Sequence, residues 1–142
     1  MATITLEGDD MATEENKRLM QQVFEELAKG NSPALVEVLA DDVEWHVTGT
    51  TSFSKTYRGK AMLMNELLGP LFSQLADKFI MTADRFIADE NYVVVECRGK
   101  TTTKTGRPYN NRYCFIFRME DRRIKEVTEY MDTQLVVTTF GG

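Results

Sequence analysis

A chain of 142 residues is the size of one domain and long enough to bury a single core, and with 42% hydrophobic and 27% charged residues it has no apolar run near the roughly 18 residues of a membrane span. The net charge of −5, with basic residues scattered among acids, leaves no stripe to attract a phosphate backbone, so neither nucleic acid nor a membrane is expected as a partner. One histidine and two widely spaced cysteines make no zinc motif, so no metal or cofactor is expected, and Cys97 and Cys114 read as free thiols of an intracellular protein.

The first residues carry acids where a secretory leader carries positive charge, which points to a cytoplasmic location, and residues 1–12 read as a mobile tail before a single domain over 13–142. Thr13 can cap a helix over Glu14 to Lys29, with Leu19, Met20, Val23, Phe24 and Leu27 at helical spacing and Gly30 as its left-handed stop. Ser32 and Pro33 open a short helix through Ala40, and a short strand follows from Val43 to Val47. Residues 48–57 form a polar loop of the kind that borders a site. A third helix runs from Lys60 to Leu75, kinked or split by Gly69-Pro70, since proline gives no N–H and crowds the preceding turn. Four strand-like runs close the chain, Lys78 to Ala88, Tyr92 to Thr103, Tyr109 to Met119 and Ile124 to Val137, joined by turn residues as antiparallel hairpins. Helices first and a meander afterwards make an α+β domain, a curved antiparallel sheet wrapped over about three N-terminal helices.

Side chains on a strand alternate between faces, which puts Val127, Glu129 and Met131 on one row. An acid in an apolar row is desolvated if that row lines a cavity, and its raised pKa would suit a general acid or base near neutrality; facing water, it would be an ordinary edge glutamate. The same alternation turns Asn111 and Tyr113 inward with Phe115 and Phe117, as polar groups at a pocket mouth or as partners of nearby backbone. Trp45 shares its row with Val43 and Val47 and so faces inward, whereas His46 shares the other row with Glu44 and reads as a surface residue with a lesser claim to catalysis. Cys114 and Ile116 leave apolar surface outside among Arg112 and Arg118, which suggests a homodimer through the outer sheet face. The chain has no nucleophile elbow, phosphate-binding glycine loop or dinucleotide fingerprint.

Four pieces in order, Leu27 through Gly30 to Asp41-Asp42-Val43, Tyr57-Arg58-Gly59, Arg122-Arg123-Ile124 and Glu129-Tyr130-Met131-Asp132, resemble the NTF2-like superfamily and its SnoaL-like branch over nearly the whole chain from Glu14 to Val137. The resemblance implies a cone-shaped α+β fold around a pocket for a small, largely apolar molecule, commonly dimeric. Ketosteroid isomerases of that superfamily use a strand aspartate and a tyrosine, but the aligned positions hold Val47 and Val23. Epoxide-hydrolase-like members place an arginine and an aspartate on the strand written here Glu96-Cys97-Arg98-Gly99. Cys97 and Gly99 occupy those places unless a bulge turns Glu96 and Arg98 inward. Their second aspartate aligns with Glu129, which implies that Glu129 faces the cavity.

The combined expectation is a small-molecule-binding protein with Glu129 as acid or base and Trp45, Tyr57, Asn111, Tyr113 and Val127 around the ligand. Its reaction would be proton transfer, as in an isomerisation, cyclisation or hydration. The alternative is a noncatalytic carrier, sensor or dimeric association domain on the same fold.

Overall fold

Alternating burial along the strands organises the chain, and in the computed structural model it produces one six-stranded sheet with helices against its inner face. The structure describes residues 2–141, with side chains from residue 11 onward. In chain order the elements are α1 (Ala2–Leu27), α2 (Pro33–Val38), β1 (Leu39–Val47), β2 (Thr56–Arg58) and α3 (Lys60–Leu63). A π-helical turn (Met64–Leu68) then leads into α4 (Gly69–Phe72), β3 (Ile80–Asp89), β4 (Tyr92–Lys100), β5 (Arg112–Glu120), β6 (Arg123–Met131) and α5 (Thr133–Phe140). The strand order is β2-β1-β6-β5-β4-β3, a curved, unclosed sheet of the α+β NTF2-like cone. The expected hairpins β3–β4, β4–β5 and β5–β6 are antiparallel, and the sheet adds one parallel pair, because β1 lies alongside β6.

The inner face is apolar by sequence parity: Val43, Trp45 and Val47 on β1, Val93, Val95 and Cys97 on β4, and Tyr113, Phe115, Phe117 and Met119 on β5 are all buried. Helix α1 sets Met20, Val23, Phe24 and Leu27 against it, and Phe24 meets Phe86 and Phe117 edge-on at 5.7 and 6.2 Å between ring centroids. Each such buried side chain contributes roughly 1.5–3 kcal/mol of transfer free energy.

The chain departs from its sequence reading in three places, at Thr13, at the start of β1 and at the end of β6, and it meets the expected break at Gly69-Pro70 with a particular geometry. Thr13 lies inside α1 instead of capping it, and its hydroxyl donates to the Glu90 carbonyl in the β3–β4 turn at 2.8 Å. Residue 1 and the side chains through residue 10 lie outside the described residues, while the backbone of 2–12, expected as part of a tail, belongs to α1. The helix over 60–75 is split, and Gly69 N–H reaches five residues back to the Met64 carbonyl, a π turn just before Pro70. A Cβ on Gly69 would sit 2.7 Å from that carbonyl, so the turn needs glycine there for space. Strand β1 starts at Leu39, because a register shift between Leu39 and Glu44 carries the exposed Asp41 and Asp42 across as a bulge. The last run stops at Met131, where the Asp132 carboxylate accepts the Leu135 N–H and caps α5, so 133–137 are helix and not strand.

Candidate functional site

The concave face of the sheet, the α3–α4 segment and α5 enclose a cavity of about 480 Å³. Its wall is mostly aliphatic and aromatic, and the exposed Pro33, Asp77 and Lys78 mark its rim. The polar groups deep in the wall are few: the Glu129 carboxyl, the Trp45 indole N–H and the hydroxyls of Tyr109 and Tyr113. Such a site binds an apolar body and reads a small number of polar atoms on it.

Glu129 is placed by the sheet. It lies between Val47 on β1 and Phe115 on β5, its register partners on either side, and so has apolar neighbours across both ladders. Its remaining accessible surface opens on the cavity that it lines. Burial pushes the carboxyl up to about 7, against the smaller opposing effect of Trp45, whose Nε1–H donates to Glu129 Oε1 at 2.8 Å. Trp45 is steadied in turn by edge contact with Phe115 at 6.1 Å. Both protonation states of Glu129 are therefore populated near neutral pH, as a group that takes and returns a proton requires.

Trp45, Tyr113 and Glu129 come together at the cavity. Tyr57, Asn111 and Val127, which the sequence places at the ligand, sit one layer behind the wall. Tyr57 is buried with its hydroxyl donated to the Phe53 carbonyl at 2.7 Å, and Val127 is wholly enclosed. Asn111 spends its amide on structure: Oδ1 accepts the N–H groups of Arg112 and Asp132, and Nδ2 donates to the Asp132 carbonyl and to the Tyr109 hydroxyl.

The inward bulge that would bring Glu96 and Arg98 to the ligand is not present. The register shift falls on β3, between Ala83 and Arg85, so β4 keeps Cys97 inside and turns its charged residues out. There Arg98 pairs with Asp84 and Glu96 with Arg85. His46 is on the outer face as well, with Nδ1 2.8 Å from Thr56 Oγ1 and Nε2 2.7 Å from Glu126 Oε2. That contact, with help from Arg118, holds the Glu126 carboxyl below its usual range. Glu44, His46 and Glu126 bring metal-ligand atom types within 4.8 Å of one another, but Arg58 pairs with Glu44 and Arg118 with Glu126, so an ion-pair network accounts for the cluster.

The sequence reading missed several parts of the wall, Phe79 and Met81 among them. Tyr109 has the same parity as Asn111 and Tyr113, and extending that inward row by one position would have found it. Phe53, in the polar loop, and Val136 and Phe140, on α5, line the cavity through contacts distant in sequence, which periodicity does not encode.

A family model described as a SnoaL-like domain matches residues 20–127. No curated protein matches the sequence. Among solved structures, an NTF2-like protein of unknown function from Burkholderia pseudomallei K96243 is similar with a TM-score of 0.76 at 19% identity, over 89% of this chain and 98% of that one. A candidate SnoaL-like polyketide cyclase from Jannaschia sp. CCS1 is similar with a TM-score of 0.73 at 13% identity, over 92% and 94%. A candidate isomerase from Bacillus subtilis gives 0.72 at 20% identity, over 94% and 96%. At these identities the likeness to the solved structures is one of fold.

Proposed function

The chain belongs to the SnoaL-like domain family, and from that premise we propose that it binds a small, largely apolar, carbonyl-bearing molecule and moves a proton on it with Glu129 as the acid–base group. The observation that carries this reading is a carboxyl raised to about 7 in the wall of an apolar cavity, with an indole N–H as its hydrogen-bond donor. The Glu129 carboxylate takes a proton from the carbon beside the carbonyl. The C–H electron pair moves into the new C=C bond, and the negative charge settles on the oxygen. Where a C=C bond adjoins the deprotonated carbon the enolate extends into a dienolate, and returning the proton to its far carbon completes an isomerisation; attack of the enolate carbon on a second carbonyl of the same molecule, with the proton passed to the new alkoxide, completes a cyclisation. Structural neighbours described as a candidate cyclase and a candidate isomerase are consistent with chemistry of this kind.

The test is hydrogen–deuterium exchange at the carbon next to the carbonyl of 2-tetralone in D2O, followed by proton NMR. The wild-type protein should accelerate exchange, with a rate that rises with pH and levels off above about 7, and Glu129→Gln should lose at least about a hundredfold, the usual reach of a positioned base. Equal exchange by the two proteins would leave a ligand carrier on the same fold as the better description.

A further inference from the structure

Two tyrosine hydroxyls in the cavity wall hold more hydrogen than the described residues around them accept. Tyr109 and Tyr113 are 4% and 7% exposed, and both line the cavity. Their oxygens are 3.4 Å apart, close enough for one O–H to point across the gap. The Tyr109 oxygen also accepts from Asn111 Nδ2 at 3.2 Å.

The direction of that amide bond is fixed. Asn111 Oδ1 takes two backbone N–H groups, from Arg112 at 2.7 Å and Asp132 at 3.1 Å, so a flipped amide would set donor against donor. Asn111 can therefore only give a hydrogen to the pair and never receive one. Two hydroxyl hydrogens remain and a single mutual bond to absorb them, and whichever tyrosine donates across the gap, the other's hydrogen has no acceptor among the described residues. A donor in a cavity wall can be satisfied only by what enters the cavity, so the pair favours an occupant that accepts its hydrogen.

We propose that the Tyr109–Tyr113 pair is the specificity-determining donor of this pocket, selecting ligands that carry an acceptor oxygen, of the carbonyl or enolate class, on the part of the molecule that enters deepest. Asn111 is its positioning residue, since the amide orients the Tyr109 hydroxyl and touches no ligand. Burial, the largest influence on both phenols, keeps them protonated, and the nearby Glu129 charge acts in the same direction. An oxygen docked on the pair also has Glu129 in the same wall, so the inference rests on the proton-transfer reading and adds to it the recognition of the ligand.

The test uses two probes of nearly equal shape, 2-acetonaphthone and 2-isopropylnaphthalene. Trp45 is the single tryptophan of the chain and lines the cavity, so its one indole N–H resonance in 15N-labelled protein reports binding of either probe. The preference for the ketone, taken as the ratio of the two Kd values, should fall about five- to tenfold in Tyr109→Phe/Tyr113→Phe, the effect of losing one neutral hydrogen bond. Tyr109→Phe alone, which keeps the Tyr113 hydroxyl but removes the oxygen that Asn111 holds beside it, should lose part of the preference and serves if the double variant does not fold. The carbonyl resonance of 13C-labelled ketone should move downfield on binding wild type and hardly at all on binding the double variant, a change that a merely structural role would not produce. An unchanged ratio with an unmoved carbonyl resonance would overturn this proposal and leave the ligand pocket standing. An indole resonance that neither probe shifts would overturn both.

Discussion

At the scale of single residues the account turns on one carboxyl whose environment favours its neutral form. Glu129 binds its proton up to about pH 7 when folded, whereas an unperturbed glutamate releases it near 4.5. Between those values the folded chain holds more protons than the unfolded one, so this group's contribution to stability is full below about 4.5 and is lost as pH rises through about 7. At about 1.4 kcal/mol for each pH unit of the gap, the loss at alkaline pH reaches roughly 3 kcal/mol. Glu129→Gln keeps the shape and an oxygen for the Trp45 N–H but has no charge to desolvate. The variant should thus melt above wild type at pH 8, with the difference vanishing by pH 4.5, and thermal melting across that range checks it. The acid was legible as an oddity, a glutamate sharing a row with Val127 and Met131. The donor to its carboxyl was not, because Trp45 and Glu129 are 84 positions apart and meet only through the pairing of β1 with β6.

At the scale of elements, short-range chemistry decided where segments end, and long-range contact decided what they face. Gly69-Pro70 announced an interrupted helix, and a π turn is the form that the interruption takes. Asp132 stands inside a run rich in β-branched residues, Val136 and Val137 included, and its capping bond to Leu135 converts the remainder into α5. That helix supplies Val136 and Phe140 to the cavity, and Phe140 stacks edge-on against Tyr109 at 4.8 Å. Asp132→Ala should therefore cost about 1 kcal/mol of stability through loss of the cap, measured by urea unfolding. It should also weaken binding of a naphthyl ketone while leaving α1 and the sheet intact by circular dichroism. Unchanged affinity would mean that α5 is no functional part of the wall.

At the scale of the whole molecule, the sequence carried the α+β class and the strand parity. The inward and outward faces of the run from Asn111 to Met119 followed from alternation alone. Depth did not follow, since parity names a face but not a layer, and so Tyr57, Asn111 and Val127 were read as lining when they back it. The parallel docking of β1 on β6 was equally hidden, because it depends on a crossover that no local pattern records. On the outer face, half-buried Cys114, Ile116 and Thr128 and the exposed Tyr130 stand among ion pairs such as Arg98–Asp84 and Arg118–Glu126. We propose that a second copy of the chain covers this face. Sedimentation equilibrium should then give a dimer at micromolar concentration that dissociates on Tyr130→Glu, and a monomer at all concentrations would remove the idea.

The central claim, a carboxyl tuned by burial to exchange its proton near neutrality, is tested most directly by 13C NMR titration of the side-chain carboxyl carbons in glutamate-labelled protein. One resonance, absent from Glu129→Gln, should titrate with a midpoint near 7, and its midpoint should climb in Trp45→Phe, where the indole donor that favours the charged form is gone. A Glu129 resonance that titrates near 4.5 in the wild-type protein would contradict the account.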